Sequence, residues 1–269
     1  MIISSVADEL ATQNLSKEDD LVLAREAGAF YLKLSESLLQ QSPGNLKLAE
    51  AVAGSFTQYA YAFVALEADK LESMNAKAAK KLRDRAARLY WRGHRHAIAA
   101  LESSSPGFSR ALASPDPAVW PSIAAPEAGV AYWAAASWGA AISLSKDSPD
   151  IVADVPLAIR LAQLIWKNYP NQGNGSLAIL MGNFEAARPG GSRVEATKYF
   201  DQAIALGRGM NAGAFVAKAE AIAQPDGDRS NFESLLRQAL AANKKREDLP
   251  NSVMAERAQW LLDSADDLF

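Results

Sequence analysis

The chain has 269 residues, 49% hydrophobic and 22% charged, a composition that suits a globular protein with a sizeable core and excludes a disordered one. A net charge of −3 gives no global reason to expect a nucleic acid as partner. Cysteine is absent, which removes disulfides and thiolate metal sites and leaves the redox compartment open.

The opening MIISSVADELATQNL has neither a basic n-region nor a long apolar h-region. Either the protein stays in the cytoplasm or a leader has been removed. Beyond it, apolar residues recur at spacings of three and four, Ala is abundant, and β-branched residues form no alternating runs, so the whole chain reads as helical. The spacing and the turn clusters predict helices over 4–14, 18–42, 46–66, 70–103, 124–146, 150–169, 175–188, 193–207, 211–224, 229–245 and 252–267. The expected architecture is all-α, a single domain over 1–269.

The helix over 70–103 is basic. Between Lys77 and Arg95 lie eight Lys or Arg and one acid, Asp84. Lys77, Lys80, Lys81, Arg88, Arg92 and Arg95 share one helical face, and Leu82, Ala86, Leu89, Tyr90, Gly93 and Ala97 the other. Two readings stay open: a solvated basic side, or an electrostatic surface for an acidic partner protein or anionic lipid head groups. Nucleic acid fits less well, because no aromatics interleave on the charged side to stack bases. His94 and His96 sit on this helix. Residues at i and i+2 diverge by about 200°, so one metal ion does not easily take both, and no metal is expected.

Four prolines, Pro106, Pro115, Pro117 and Pro121, rule out continuous helix over 104–123. Next come eighteen residues without a charge, 128–145, the length at which a membrane span is considered. Ala, Ser and Gly dominate, with only Val130, Ile142 and Leu144 as strong membrane formers, so the segment is expected to be a buried central helix rather than an anchor. Tyr132, Ala136, Gly139 and Ser143 line a small face suited to close helix contact. Ser148 before Pro149 is an expected N-cap, and Ser192 with Glu195 has capping-box spacing.

In the C-terminal half, Ala196, Phe200 and Ala203 follow the A-x3-F-x2-A spacing of the second helix of a tetratricopeptide repeat (TPR), with Gly182 where the first helix has its small residue. Weaker matches occur at 235–240, at 157–170, where Ala158, Ala162 and Pro170 fall in phase, and at 31–43. Together they predict a TPR-like array of antiparallel helical hairpins, a right-handed α-solenoid with degenerate repeats. Catalytic signatures are missing: there is no G-x-S-x-G, H-E-x-x-H or P-loop, and the turn NQGNGS at 171–176 is a lone G-x-G. No enzymatic activity and no cofactor are expected. The aromatics Tyr90, Trp91, Tyr132, Trp133, Trp138, Trp166 and Phe184 serve as core fillers or as the lining of an apolar ligand channel, and the sequence does not divide the two roles.

Four segments, RAARLYWRGHRHAIAALE (85–102), YWAAASWGAAISLSKDSPDIVADVP (132–156), NFEAARPGG (183–191) and RAQWLLDSADDLF (257–269), resemble the TRAP-transporter T-component (TatT) family over nearly the full chain. The resemblance implies a TPR-like homotrimer that associates with the periplasmic substrate-binding P component of a TRAP transporter and handles small hydrophobic ligands through a pore or channel. It also implies a periplasmic lipoprotein whose full-length precursor is anchored through an N-terminal lipidated Cys, a residue this sequence does not contain. Trp138, Gly139, Asn183, Glu185 and Arg188 lie in the shared segments. On this reading the aromatic set is the ligand candidate, and Lys77, Lys81, Arg88, Arg92 and Arg95 are the partner-binding candidates. The rival readings are a general TPR scaffold unrelated to transport and an enzyme of an all-α superfamily. Charge reversal at Lys81, Arg88 and Arg92 is expected to weaken association with an acidic partner and to leave thermal stability unchanged.

Overall fold

A computed structural model describes residues 20–269; the helix expected over 4–14 lies outside them. The described residues form helices joined by short connections, with no strand among them. They divide into two compact units, residues 25–169 and residues 170–269, with residues 20–24 counted with the second.

The first unit holds α1 (Leu21–Gln41, from Arg25 on), α2 (Leu46–Ala60), α3 (Leu66–Leu71), α4 (Ala76–Ser104), α5 (Phe108–Ala113), α6 (Ala128–Ser143), α7 (Pro149–Val152) and α8 (Val155–Asn168). A π-helical turn, Tyr61–Ala65, joins α2 to α3. The chain therefore stays helical through 66–70, where a break was expected. LEADK is made of helix formers with no cap or breaker, and the turn falls instead at 72–75, where Asn75 accepts a hydrogen bond from the Ala78 N–H at 3.0 Å and starts α4. Likewise 150–169 is two helices. Pro156 can neither donate to the preceding turn nor fit against it, so the run stops after Val152 and restarts behind Asp154 with proline in its first turn.

Helix α6 is the centre of this unit, packed against α2, α4 and α8. Ten of its sixteen residues are buried, including Val130, Ala131, Ala134, Ala135, Trp138 and Ile142. The face expected to make the closest contacts is the outer one: Tyr132, Ala136 and Gly139 are half-buried and Ser143 is exposed. A helix that is apolar all round carries no directional signal, so its packing partners decide which side faces in. Among the described residues no helix is long and apolar enough to cross a membrane.

The proline-rich stretch carries the short helix α5 and single 3-10 turns at Pro117–Val119 and Ala125–Glu127. Arg160 of α8 clamps it, donating to the carbonyls of Leu112 (2.5 Å) and Ser114 (2.9 Å) and lying 4.2 Å from the centre of the Trp120 ring. Buried Glu127 accepts from the hydroxyls of Ser104 (2.7 Å) and Ser105 (3.2 Å) and from the Ala124 N–H (2.9 Å), so the carboxylate is satisfied where it is least solvated.

The second unit contains α9 (Ser176–Ala187), α10 (Arg193–Leu206), α11 (Ala212–Lys218) with a π turn at Ala219–Ala223, α12 (Arg229–Lys245), α13 (Leu249–Asp263) and α14 (Ala265–Leu268). Ala196, Phe200 and Ala203 are all fully buried. A Cβ on Gly182 would come within 2.7 Å of the Phe200 ring, so glycine is what lets α9 lie this close to α10. The N-cap of α10 is half of the expected box: the Ser192 hydroxyl accepts from the Glu195 N–H at 3.2 Å, but the Ser192 N–H goes to Glu185 at 2.7 Å and Glu195 pairs with Lys198. Asn251, 4% exposed, receives the Ala212 N–H and donates to the carbonyls of Met210 and Arg246, which ties the start of α13 to the start of α11.

Phe200→Ala is expected to cost about 3–5 kcal/mol, the usual loss for emptying a fully buried aromatic site. Gly182→Ala is expected to be destabilising too, because overpacking costs about 1–3 kcal/mol against about 1 kcal/mol gained in helix propensity. Denaturant unfolding followed by circular dichroism measures both.

Candidate functional site

Helix α4 presents its charges in two groups. Lys80 pairs with Asp84 at 3.0 Å and Arg83 pairs with Glu72. Lys77, Lys81, Arg85, Arg88 and Arg95 are exposed and have no ion-pair partner among the described residues. They follow one another at spacings of four and three to seven, so they lie on one stripe of the helix.

Arg92, at the same phase, behaves differently. Its Nε and Nη2 both donate at 2.5 Å to the Glu36 carboxylate of α1, whose side chain is only 4% exposed. His96 reaches the same carboxylate at 2.8 Å and Lys33 at 2.6 Å. Burial pushes the Glu36 carboxyl upward, but the hydrogen bonds from Arg92, Lys33 and His96 and the Arg92 charge outweigh it and hold the pKa down at about 2. Reversing Arg92 would leave a buried carboxylate facing another acid. The expectation that stability survives reversal is therefore kept for Lys81 and Arg88 and corrected for Arg92, whose guanidinium is occupied within the fold.

The two histidines point to different partners. His94 is 8% exposed, and its Nδ1 lies 3.0 Å from the Ala134 carbonyl of α6. A carbonyl only accepts, so Nδ1 carries the hydrogen and donates. The ring rests against Trp138 (centroids 4.5 Å) and meets Trp91 edge-on (5.3 Å). Burial drives its pKa down to about 4, against the weaker pull of the Ala134 bond and Asp154, so His94 is neutral near pH 7. No group of three or more metal-ligating side chains occurs among the described residues.

The seven aromatic candidates do not form one lining. Tyr90 and Trp138 are core residues, 3% and 7% exposed, and the Trp138 Nε1 lies 3.4 Å from the Asp154 carboxylate. Trp91 flanks His94. Tyr132 and Trp133 are half-buried, 4.9 Å apart edge to face. The Trp133 indole lies over Gly54 of α2, where a Cβ would come within 2.8 Å. Trp166 is half-buried on α8, and Phe184 belongs to the second unit. Sequence reasoning missed Glu36, which is 56 positions from Arg92. It carries no motif; the only available signal was an acid on the inward face of an otherwise apolar stripe.

Comparison with known proteins adds the family. The model of the TRAP transporter T-component family matches residues 17–269. The chain belongs to the TRAP transporter T-component family. It is thus an accessory component of a TRAP transporter system. The chain is also similar to an uncharacterized protein of Treponema pallidum (strain Nichols), 28% identical over 276 residues that cover 98% of this chain and 85% of that protein.

For this T-component, stability is expected to fall in two steps as pH is lowered. Between about 6.5 and 4 the unfolded chain takes up a proton that folded His94 refuses. Between about 4.5 and 2 protonation of Glu36 removes the stability that its depressed pKa supplies at higher pH. Each step is worth on the order of 3 kcal/mol at most. Urea midpoints across this range should show both windows, with His94→Gln flattening the upper one and Glu36→Gln the lower.

Proposed function

We propose that the chain is the non-enzymatic T subunit that binds the periplasmic substrate-binding P component of a TRAP-type transporter, with a TPR-like helical array as its framework. The observation that supports this reading, beyond family membership, is a stripe of cations on α4: Lys77, Lys81, Arg85, Arg88 and Arg95 are exposed and have no ion-pair partner among the described residues, while neighbouring charges are paired. A row of exposed like charges suits an acidic partner surface and would speed its encounter. The reading includes a periplasmic location, lipid anchoring of the precursor, a homotrimer, and a small hydrophobic ligand. For that ligand the half-buried Tyr132 and Trp133 are better placed than Tyr90 or Trp138, which fill the core.

A second reading, a general TPR-type scaffold, draws on the α9–α10 hairpin, where Gly182 receives Phe200 between Ala196 and Ala203 in the manner of a TPR pair. The two differ in partner: a scaffold captures an extended peptide and ignores a solute-binding protein.

Affinity capture of the tagged protein from its own cell envelope, followed by mass spectrometry, is expected to recover a periplasmic solute-binding protein at near-stoichiometric amount. Lys81→Glu with Arg88→Glu should lower that recovery at least tenfold with the melting temperature unchanged. Full recovery by the double variant would remove the stripe from the interface. Capture of other proteins without a solute-binding partner would put the scaffold reading first.

A further inference from the structure

Helix α1 is apolar on two sides. Leu32, Ser35 and Leu39 are buried on one of them, and Gly28 lets the Tyr59 ring of α2 approach within 3.1 Å of where a Cβ would stand. The opposite side is exposed. Leu23, Ala27, Phe30 and Leu34 follow one another at steps of four, three and four, which places them in one row, and Leu23, Phe30 and Leu34 are 50%, 72% and 38% exposed. Four of the nine large hydrophobic side chains exposed among the described residues belong to this one helix, Val22 being the fourth, so the row is a concentration and not the scatter that is normal at a surface. A helix at the edge of a fold needs a single apolar face. The second asks for a cover.

The spacing says what kind of cover fits. Steps of three and four are the pattern by which one α-helix receives the side chains of another, and the row from Leu23 to Leu34 is about 16 Å long. The chain itself carries such a helix immediately upstream. Residues 1–19 lie outside the described residues, and their sequence predicts a helix over 4–14, also about 16 Å long. Ile3, Val6 and Leu10 form its apolar row at steps of three and four, while Ser4, Ser5, Asp8 and Thr12 fall on the far side. Asp20 marks where the chain turns: its Oδ1 accepts the N–H groups of Val22 (2.9 Å) and Leu23 (3.1 Å), which starts α1 at that point. The connection left between the two helices, LSKED at 15–19, is within the ~2–8 residues usual between antiparallel helices.

We propose that the segment 3–14 folds back on α1 as the second helix of a hairpin and covers its exposed apolar row. Turned about 15–19, the two rows meet in mirror order, with Leu10 opposite Ala27, Val6 opposite Phe30 and Ile3 opposite Leu34. Steps of three and four in one row then answer steps of four and three in the other, and the small Ala27 receives the larger Leu10. The apolar face of α1 is thereby withheld from other molecules. This contact lies within one chain and does not rest on the P-component reading.

The chain has no cysteine, so a pair introduced by substitution reports its own contact. In the full chain, Val6→Cys with Phe30→Cys is expected to close a disulfide within one molecule on mild oxidation, since the hairpin brings the two Cβ atoms to the bridging distance of about 4 Å. Asp8→Cys with Phe30→Cys, which starts from the far side of the helix, should close at least tenfold more slowly. In the cysteine-free chain, Val6→Asp with Leu10→Asp should speed amide hydrogen exchange across α1 at least tenfold and leave residues 176–263 unchanged, which separates loss of the cover from loss of the fold. Disulfides that join two copies would give the face to a second copy, and unchanged exchange in α1 would leave it to a bilayer or another protein. Either result overturns the proposal, as does equal closure by the two cysteine pairs.

Discussion

An α-helix of sixteen residues with no charged side chain has to be enclosed, and in this protein that requirement organises the first unit. Helix α6 buries most of its surface against α2, α4 and α8. Its small side chains bring those neighbours close, and close neighbours leave little room for anything polar that is not hydrogen-bonded. Burying Val130, Trp138 and Ile142 supplies about 1.5–3 kcal/mol each, while polar groups drawn in with the helix are hydrogen-bonded: Ser137 bonds back to the Trp133 carbonyl, and His94 Nδ1 takes the Ala134 carbonyl that α6 presents. The histidine is neutral and fixed because the helix beside it is apolar.

The same economy explains how α4 divides its charges. One face lies against α2 and α6 through Ala86, Tyr90, Gly93 and Ala97. At the edge of that face Arg92 and His96 meet Glu36, a carboxylate that burial alone would push toward protonation and that three donors keep ionised. Removing a single partner from such a group is costly, so Arg92 and Glu36 hold α1 to α4 as a pair. Among the described residues, Lys77, Lys81, Arg85, Arg88 and Arg95 on the outer face make no such commitment. Exposed cations at ordinary ionic strength contribute little to stability and much to encounter rates.

Several features are legible in the sequence itself. The Ala196, Phe200 and Ala203 set was legible because i, i+4, i+7 spacing places the three on one helical face, and the small residue at Gly182 fitted a close partner helix. Of the two expected caps, Ser192 accepts from the first turn of α10, while Ser148 stands at the N-cap of α7 without a side-chain hydrogen bond. The unbroken run over 66–70 and the division of 150–169 also have local causes: LEADK contains no breaker, and Pro156 cannot continue the helix that ends at Val152. The inward side of α6 was illegible, since an all-apolar helix has no wheel to read.

The sequence by itself determined the all-helical class, the charged and apolar sides of α4, the buried character of 128–145 and the family, because periodicity and composition act within a few residues and survive without a partner in view. Tertiary structure alone decided which of the like-looking cations are paired within the fold. It paired Arg92 with Glu36 across 56 positions and fixed the hydrogen of His94 by offering it a carbonyl. Electrostatic roles depend on distance and solvent exposure, and both arise only when segments far apart in the chain come together.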